Sequence, residues 1–151
     1  MLHAGGFPFK DFGITNHPTQ TWWAQTNAQG GKVDVDWKAA DYLYYYMKNW
    51  APYGLVSYRG TWSGGSGSPY VHPQTPSGVI AGDPIFFDYT NNGSQDHAVI
   101  QSGVGTTTDG YGPNDSYIDQ HSKSRYHSFW SGWTYNAYRN TTKFSFFEMV
   151  Q

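Results

Sequence analysis

The chain is 151 residues long, with a formal net charge of -2 and only 13% charged residues, which excludes the basic footprint of a nucleic-acid-binding domain. It holds no cysteine, so disulfides and a thiolate of its own are excluded, and no apolar run approaches the roughly 20 residues of a membrane-spanning helix. Aromatics reach 19%, mostly as 13 Tyr and 7 Trp, whose apolar bodies and polar tips suit either a core or a wet groove for peptide or sugar.

In chain order, Met1 to Ala4 reads as the last turn of a helix closed by Gly5-Gly6. Residues 7 to 20 contain Pro8, Gly13 and Pro18 and read as irregular connection, and Trp22-Trp23-Ala24-Gln25 opens a short helix or strand. The clearest element is a helix over 36–50. Asp34 or Asp36 caps it, Pro52 and Gly54 stop it, and Trp37, Ala40, Leu43, Tyr44, Met47 and Trp50 form its apolar face. Residues 60 to 82, with Gly64-Gly65-Ser66-Gly67-Ser68-Pro69, read as a long surface loop too polar to bury.

Strands follow. Ile85-Phe86-Phe87 and Ala98-Val99-Ile100 are short apolar runs joined by Asn91-Asn92-Gly93, a hairpin signal. Val104 to Asn114 reads as a turn region, residues 116–122 as a third strand, Phe129 to Tyr138 as mixed aromatic and polar, and Lys143 to Val150 as a closing strand. A helix followed by antiparallel strands is an α+β pattern, with helices packed on one side of a sheet.

The polar residues on these strands carry the candidate chemistry. The second strand of the hairpin opens on His97, flanked by Asp96, and an imidazole at a strand end is placed to act as a general base near neutral pH. Gln120 and His121 lie in the next strand and are candidates to orient that imidazole by accepting its distal N–H. Alternation along the strand sends the two to opposite faces, so one of them can serve and the other cannot. Asp88, Thr90, Asn92 and Asp96 follow part of a calcium-loop spacing, but position twelve is Val99 rather than Glu and no helices flank it, so a polar hairpin turn is favoured. No other cofactor is expected. A zinc site lacks its usual close histidine spacing.

The stretches Gly82-Asp83-Pro84-Ile85-Phe86-Phe87-Asp88, Asp96-His97-Ala98-Val99-Ile100 and Tyr117-Ile118-Asp119-Gln120-His121-Ser122, with the opening Leu2-His3-Ala4-Gly5-Gly6, resemble the putative amidase domain of bacterial proteins. That family is similar to the NlpC and CHAP cysteine peptidases, so the resemblance implies a papain-like α+β fold with an antiparallel sheet packed by N-terminal helices. It also implies a single amidase-like domain over residues 1–151 acting on a peptide or peptidoglycan-type amide, secreted or attached to the cell envelope.

Carried over by position, His97 matches the catalytic histidine and Gln120-His121 the polar pair beside it, while Asp83 matches a residue that supports the hairpin. Trp22, Trp23 and Asp96 are the expected substrate contacts. The family's cysteine has no counterpart among these residues. By resemblance it stands on a helix start about two turns before Leu2, so the domain reads as truncated at its catalytic helix, inactive by itself, with a separate segment or chain supplying the thiol. The alternative is a peptide- or glycan-binding or assembly module on the same fold, with Trp22, Trp23, Trp62, Trp130 and Trp133 as stacking residues.

Overall fold

A computed structural model describes residues 40–49, 54, 56–63, 76–105, 115–120, 125–130 and 136–150. They belong to two compact units, Met1–Val56 with Val150–Gln151, and Ser57–Met149. The first contributes the helix α1, Ala40–Asn49. Asp41 lies in its first turn and Lys48 in its last, the polarity that the helix dipole favours. Its buried residues are Tyr44, Tyr46 and Met47. Tyr44 and Met47 were expected from their spacing; Tyr46, fully buried, widens the face beyond the predicted set. The remaining residues of the predicted helix, and those of the predicted first turn, lie outside the described residues.

The second unit is a six-stranded sheet of β1 (Val56–Ser63), β2 (Pro84–Asp88), β3 (His97–Gly105), β4 (Asp115–Gln120), β5 (Arg125–Phe129) and β6 (Lys143–Met149), in the order β1-β6-β2-β3-β4-β5. β2 pairs antiparallel with β3 and β6, β3 with β4, and β4 with β5. The α+β expectation and the antiparallel sheet therefore hold.

β2 is the strand around which the rest is built. All five of its residues are buried, which is why Ile85-Phe86-Phe87 reads as a continuous apolar run instead of an alternation. Register divides its side chains between two faces. Ile85 and Phe87 share the core face with Val99, Phe144 and Phe146, and there they join Val79, Ile118, Phe129 and Trp130 in one cluster. Phe86 lies on the opposite face with Phe147, the two rings 5.4 Å apart. Burial of each such side chain is worth about 1.5–3 kcal/mol.

Three sequence expectations need correction. Residues 60 to 82 are not one surface loop: β1 reaches Ser63, and Val79 is buried in the core cluster. β3 does not stop at Ile100 but runs to Gly105, because a register shift between Gln101 and Gly103 absorbs an extra residue and lets pairing with β4 continue. Gly103 leaves room for Tyr117 at that point. The Tyr117 hydroxyl lies 2.7 Å from where a Cβ would stand, so any side chain would displace the tyrosine. Trp130, finally, is 1% exposed and is a core residue, not a stacking surface. Trp62 packs against it and against Phe144, with ring centroids 5.5 and 5.4 Å away.

Asp83 locks the sheet's far end. Its Oδ2 accepts the Ile80 N–H at 2.7 Å and its Oδ1 the Met149 N–H at 2.7 Å, joining the turn before β2 to the end of β6. Burial raises its carboxyl above the ordinary 3.8, with Glu148 adding repulsion, against the pull of the two N–H groups and Arg59. The folded state therefore binds this proton more tightly than the unfolded one. The ionisation of Asp83 costs stability as pH rises from 3.8 through the raised value, and below 3.8 that cost is absent. Asp83→Asn offers one acceptor where two donors converge and is expected to destabilise the protein by about 1–3 kcal/mol. Urea denaturation at several pH values is expected to show the wild-type advantage shrinking as pH rises through that window. An advantage that grows instead would contradict the assignment.

Gln101 is the opposite case. It is fully buried opposite Ile118, and among the described residues neither of its side-chain polar atoms has a hydrogen-bond partner. A buried amide in that state costs about 1–3 kcal/mol. Replacement by methionine, of similar length and shape, is expected to raise the denaturation midpoint by about 1 kcal/mol equivalent. A fall in the midpoint would show that the amide is stabilising where it stands.

Candidate functional site

The sequence signature resolves into the β2–β3 hairpin. Both oxygens of the buried Asp88 accept loop N–H groups, Oδ1 from Asn92 at 3.0 Å and Oδ2 from Gly93 at 2.7 Å. Asn92 Oδ1 accepts the Ser94 N–H at 2.8 Å, and Asp96 Oδ2 accepts the Tyr89 N–H at 2.8 Å. Asn91 at φ 55° and Gly93 at φ 95° supply the left-handed residues that the reversal needs.

Of the oxygens read from the sequence as a partial calcium loop, those of Asp88, Asn92 and Asp96 accept from the loop's own backbone. Among the described residues, no three His, Asp or Glu side chains come together as a metal site. Asp96, expected as a substrate contact, closes the hairpin mouth through its carboxylate and through its N–H, which donates to the Phe87 carbonyl at 2.7 Å.

This braced loop delivers the chain into β3 at His97, the strand's first residue. His97 pairs with Phe87 in the register and meets its ring edge-on, centroids 5.8 Å apart. Phe87 is itself 4.9 Å from Phe144 on β6. A row of three rings therefore crosses three strands at the hairpin end of the sheet. Two are buried, and His97 is half-buried at the end of the row. The imidazole lies on the core face but at its margin, with an aromatic wall on one side.

Of the candidate orienters, Gln120 is the last residue of β4, and only its backbone lies within the described residues. His121, Trp22, Trp23 and Trp133 lie outside them. Asp119 pairs with Ile100 and is half-buried. Sequence reading passed over Tyr89 and Tyr138. Their rings stack 5.6 Å apart at an interplanar angle of 30°, and Tyr89 continues the ring contacts outward from Phe87 at 6.1 Å. Nothing in local spacing marks them, since 49 residues separate the pair and only the docking of the turn before β6 against the β2 end unites them.

Comparison with known proteins settles the lineage. The profile of a family described as the putative amidase domain matches residues 1–147. The chain belongs to the putative amidase domain family. No curated protein matches it, and no solved structure does. Membership in this family makes the chain amidase-like at the level of the family, and amide-bond hydrolysis is the chemistry against which the His97 arrangement is to be compared. Among the described residues no helix is long and apolar enough to cross a membrane.

Proposed function

We propose that this chain supplies the general base of a thiol-dependent amidase, with His97 as that base and a cysteine from outside these 151 residues as nucleophile. The observation that carries it is the position of His97: first in its strand, half-buried and backed by Phe87, in a member of an amidase family. The composition fixes where the thiol cannot be, because the sequence contains no cysteine. The fold this reading implies is papain-like, and the substrate is a peptide or peptidoglycan-type amide met outside the bacterial cell or in its envelope.

In this reading His97 takes the thiol proton, and the thiolate attacks the amide carbonyl carbon to give a tetrahedral oxyanion. The same imidazole returns the proton to the leaving nitrogen as the C–N bond breaks. Water, deprotonated by His97, then hydrolyses the thioester and releases the thiol.

Either Gln120, the last residue of β4, or His121, next in the chain, would orient the imidazole by accepting its distal N–H. Fusing a helix that opens Cys-Thr-Asn-Phe ahead of Met1 tests the proposal. Release of amine from a peptide or muropeptide amide is expected from the fusion and not from the 151 residues alone. Hydrolysis by the cysteine-free chain, or none by a fusion whose circular dichroism shows it folded, would overturn it.

A further inference from the structure

The Tyr89–Tyr138 stack is the feature that the proposed chemistry does not use. Tyr138 is 53% exposed, yet the turn that carries it is fastened at many points. Its N–H donates to Asn136 Oδ1 at 2.9 Å. Its carbonyl accepts from the N–H groups of Thr141 and Thr142 at 2.8 and 2.9 Å and from the Thr142 hydroxyl at 2.9 Å. The buried Asn136 and Thr142 are joined in turn, Nδ2 to Oγ1 at 3.1 Å, and Thr141 Oγ1 donates to the Tyr89 carbonyl at 2.7 Å. An aromatic ring left in water on a backbone this constrained loses little conformational freedom when a ligand covers it.

Position and surroundings indicate the ligand. Contacts of 5.6, 6.1 and 5.8 Å run from Tyr138 through Tyr89 and Phe87 to His97, so the platform lies on the same face of the sheet as the candidate base. The same turn exposes Arg139 and Asn140, the next two residues after the tyrosine. A guanidinium donates hydrogen bonds, and an amide both donates and accepts them. An apolar peptide side chain is best served by a closed apolar pocket, which an exposed ring on a polar turn does not provide. A pyranose ring has one apolar C–H face and an equatorial belt of hydroxyls, and an open tyrosine face on a turn of hydrogen-bonding side chains complements both.

We infer that Tyr138, stacked on Tyr89, is a saccharide-binding platform that holds a sugar ring of the substrate beside the His97 site. Its placement next to the reacting amide rests on the proposed function, whereas the binding itself does not.

The test is titration of the 151-residue protein with N-acetylglucosamine tetramer and, separately, with an unglycosylated tetrapeptide, followed by calorimetry. Saturable binding of the sugar is expected, weakened at least tenfold in Tyr138→Ala and retained in Tyr138→Trp. Circular dichroism and the denaturation midpoint confirm that each variant is folded. Sugar affinity indifferent to Tyr138→Ala, or binding of the peptide alone, would overturn the inference. If the cysteine fusion fails to hydrolyse amides while Tyr138-dependent sugar binding persists, the amidase proposal falls and the platform stands. The reverse pattern removes the platform and leaves the amidase.

Discussion

In the cysteine-bearing fusion, His97→Ala is expected to lower amide hydrolysis by about 10²–10⁴-fold, the usual worth of a positioned acid–base group. The same substitution is expected to leave the fold nearly untouched. His97 is half-buried at the strand's start, and its ring meets Phe87 in an edge-on approach. The loop that brings the chain to it is held by Asp88, Asn92 and Asp96, none of which the substitution alters. Stability and activity should therefore separate: a denaturation midpoint within about 1 kcal/mol of the parent, with turnover nearly gone. Single-turnover assays read the chemical step directly and measure the loss before product release can mask it. His97→Gln, which keeps bulk and hydrogen bonding without a titrating base, should be as inactive as the alanine variant. Activity within a few-fold of the parent in either variant would remove His97 from the mechanism. Gln120→Ala or His121→Ala, whichever removes the orienter, is expected to give a smaller loss, since an orienter acts through the imidazole.

Trp130→Ala is expected to destabilise the protein by about 3–5 kcal/mol, the range for removing a large aromatic from a packed core. Four aromatic neighbours converge on this indole: Phe144 at 4.8 Å, Phe146 at 5.1 Å, and Trp62 and Phe129 each at 5.5 Å. Three of these, Phe129, Phe144 and Phe146, are themselves at most 1% exposed, so the cavity has few ways to collapse. Against a typical total of about 5–15 kcal/mol, a loss of this size leaves the fold marginal at 37 °C. Chemical denaturation at low temperature keeps both proteins folded at the start and gives the difference. Trp130→Phe should recover part of it. A cost below about 1 kcal/mol would mean that Trp130 is a surface residue, and would return it to the stacking role that the composition alone suggested.

The aromatic content had two readings, core and ligand surface, and neither composition nor spacing separates them. Trp130 is in the core, whereas Tyr138 stands in solvent. Their local sequences, Phe-Trp-Ser and Ala-Tyr-Arg, give no hint of this. β1 was missed for a related reason. Tyr58 and Trp62 are four residues apart and would share one face of a regular strand. Yet Tyr58 meets Phe147 on one side of the sheet, while Trp62 meets Phe144 and Trp130 on the other. Gly60, at φ 111°, lies between them where the alternation breaks. A strand that changes sides midway carries no period of two to detect.

By itself the sequence determined the elements whose signal is local. The apolar runs of β2 and β6, the Asn-Asn-Gly reversal, the helix around Tyr44 and the start of a strand at His97 all follow from nearest-neighbour chemistry and side-chain period. So does the absence of a thiol. What only the tertiary structure decided depends on partners distant in sequence. The register of β3 on β4 sets Gln101 opposite Ile118. Backbone N–H groups donate to the carboxylates of Asp88 and Asp96. The same applies to the Tyr89–Tyr138 stack, created by a turn docking on a strand end far from it in the chain. A carboxylate or an aromatic ring has the same chemistry wherever it stands. Which neighbour satisfies it is fixed by packing, and packing is the one quantity that a linear pattern does not contain.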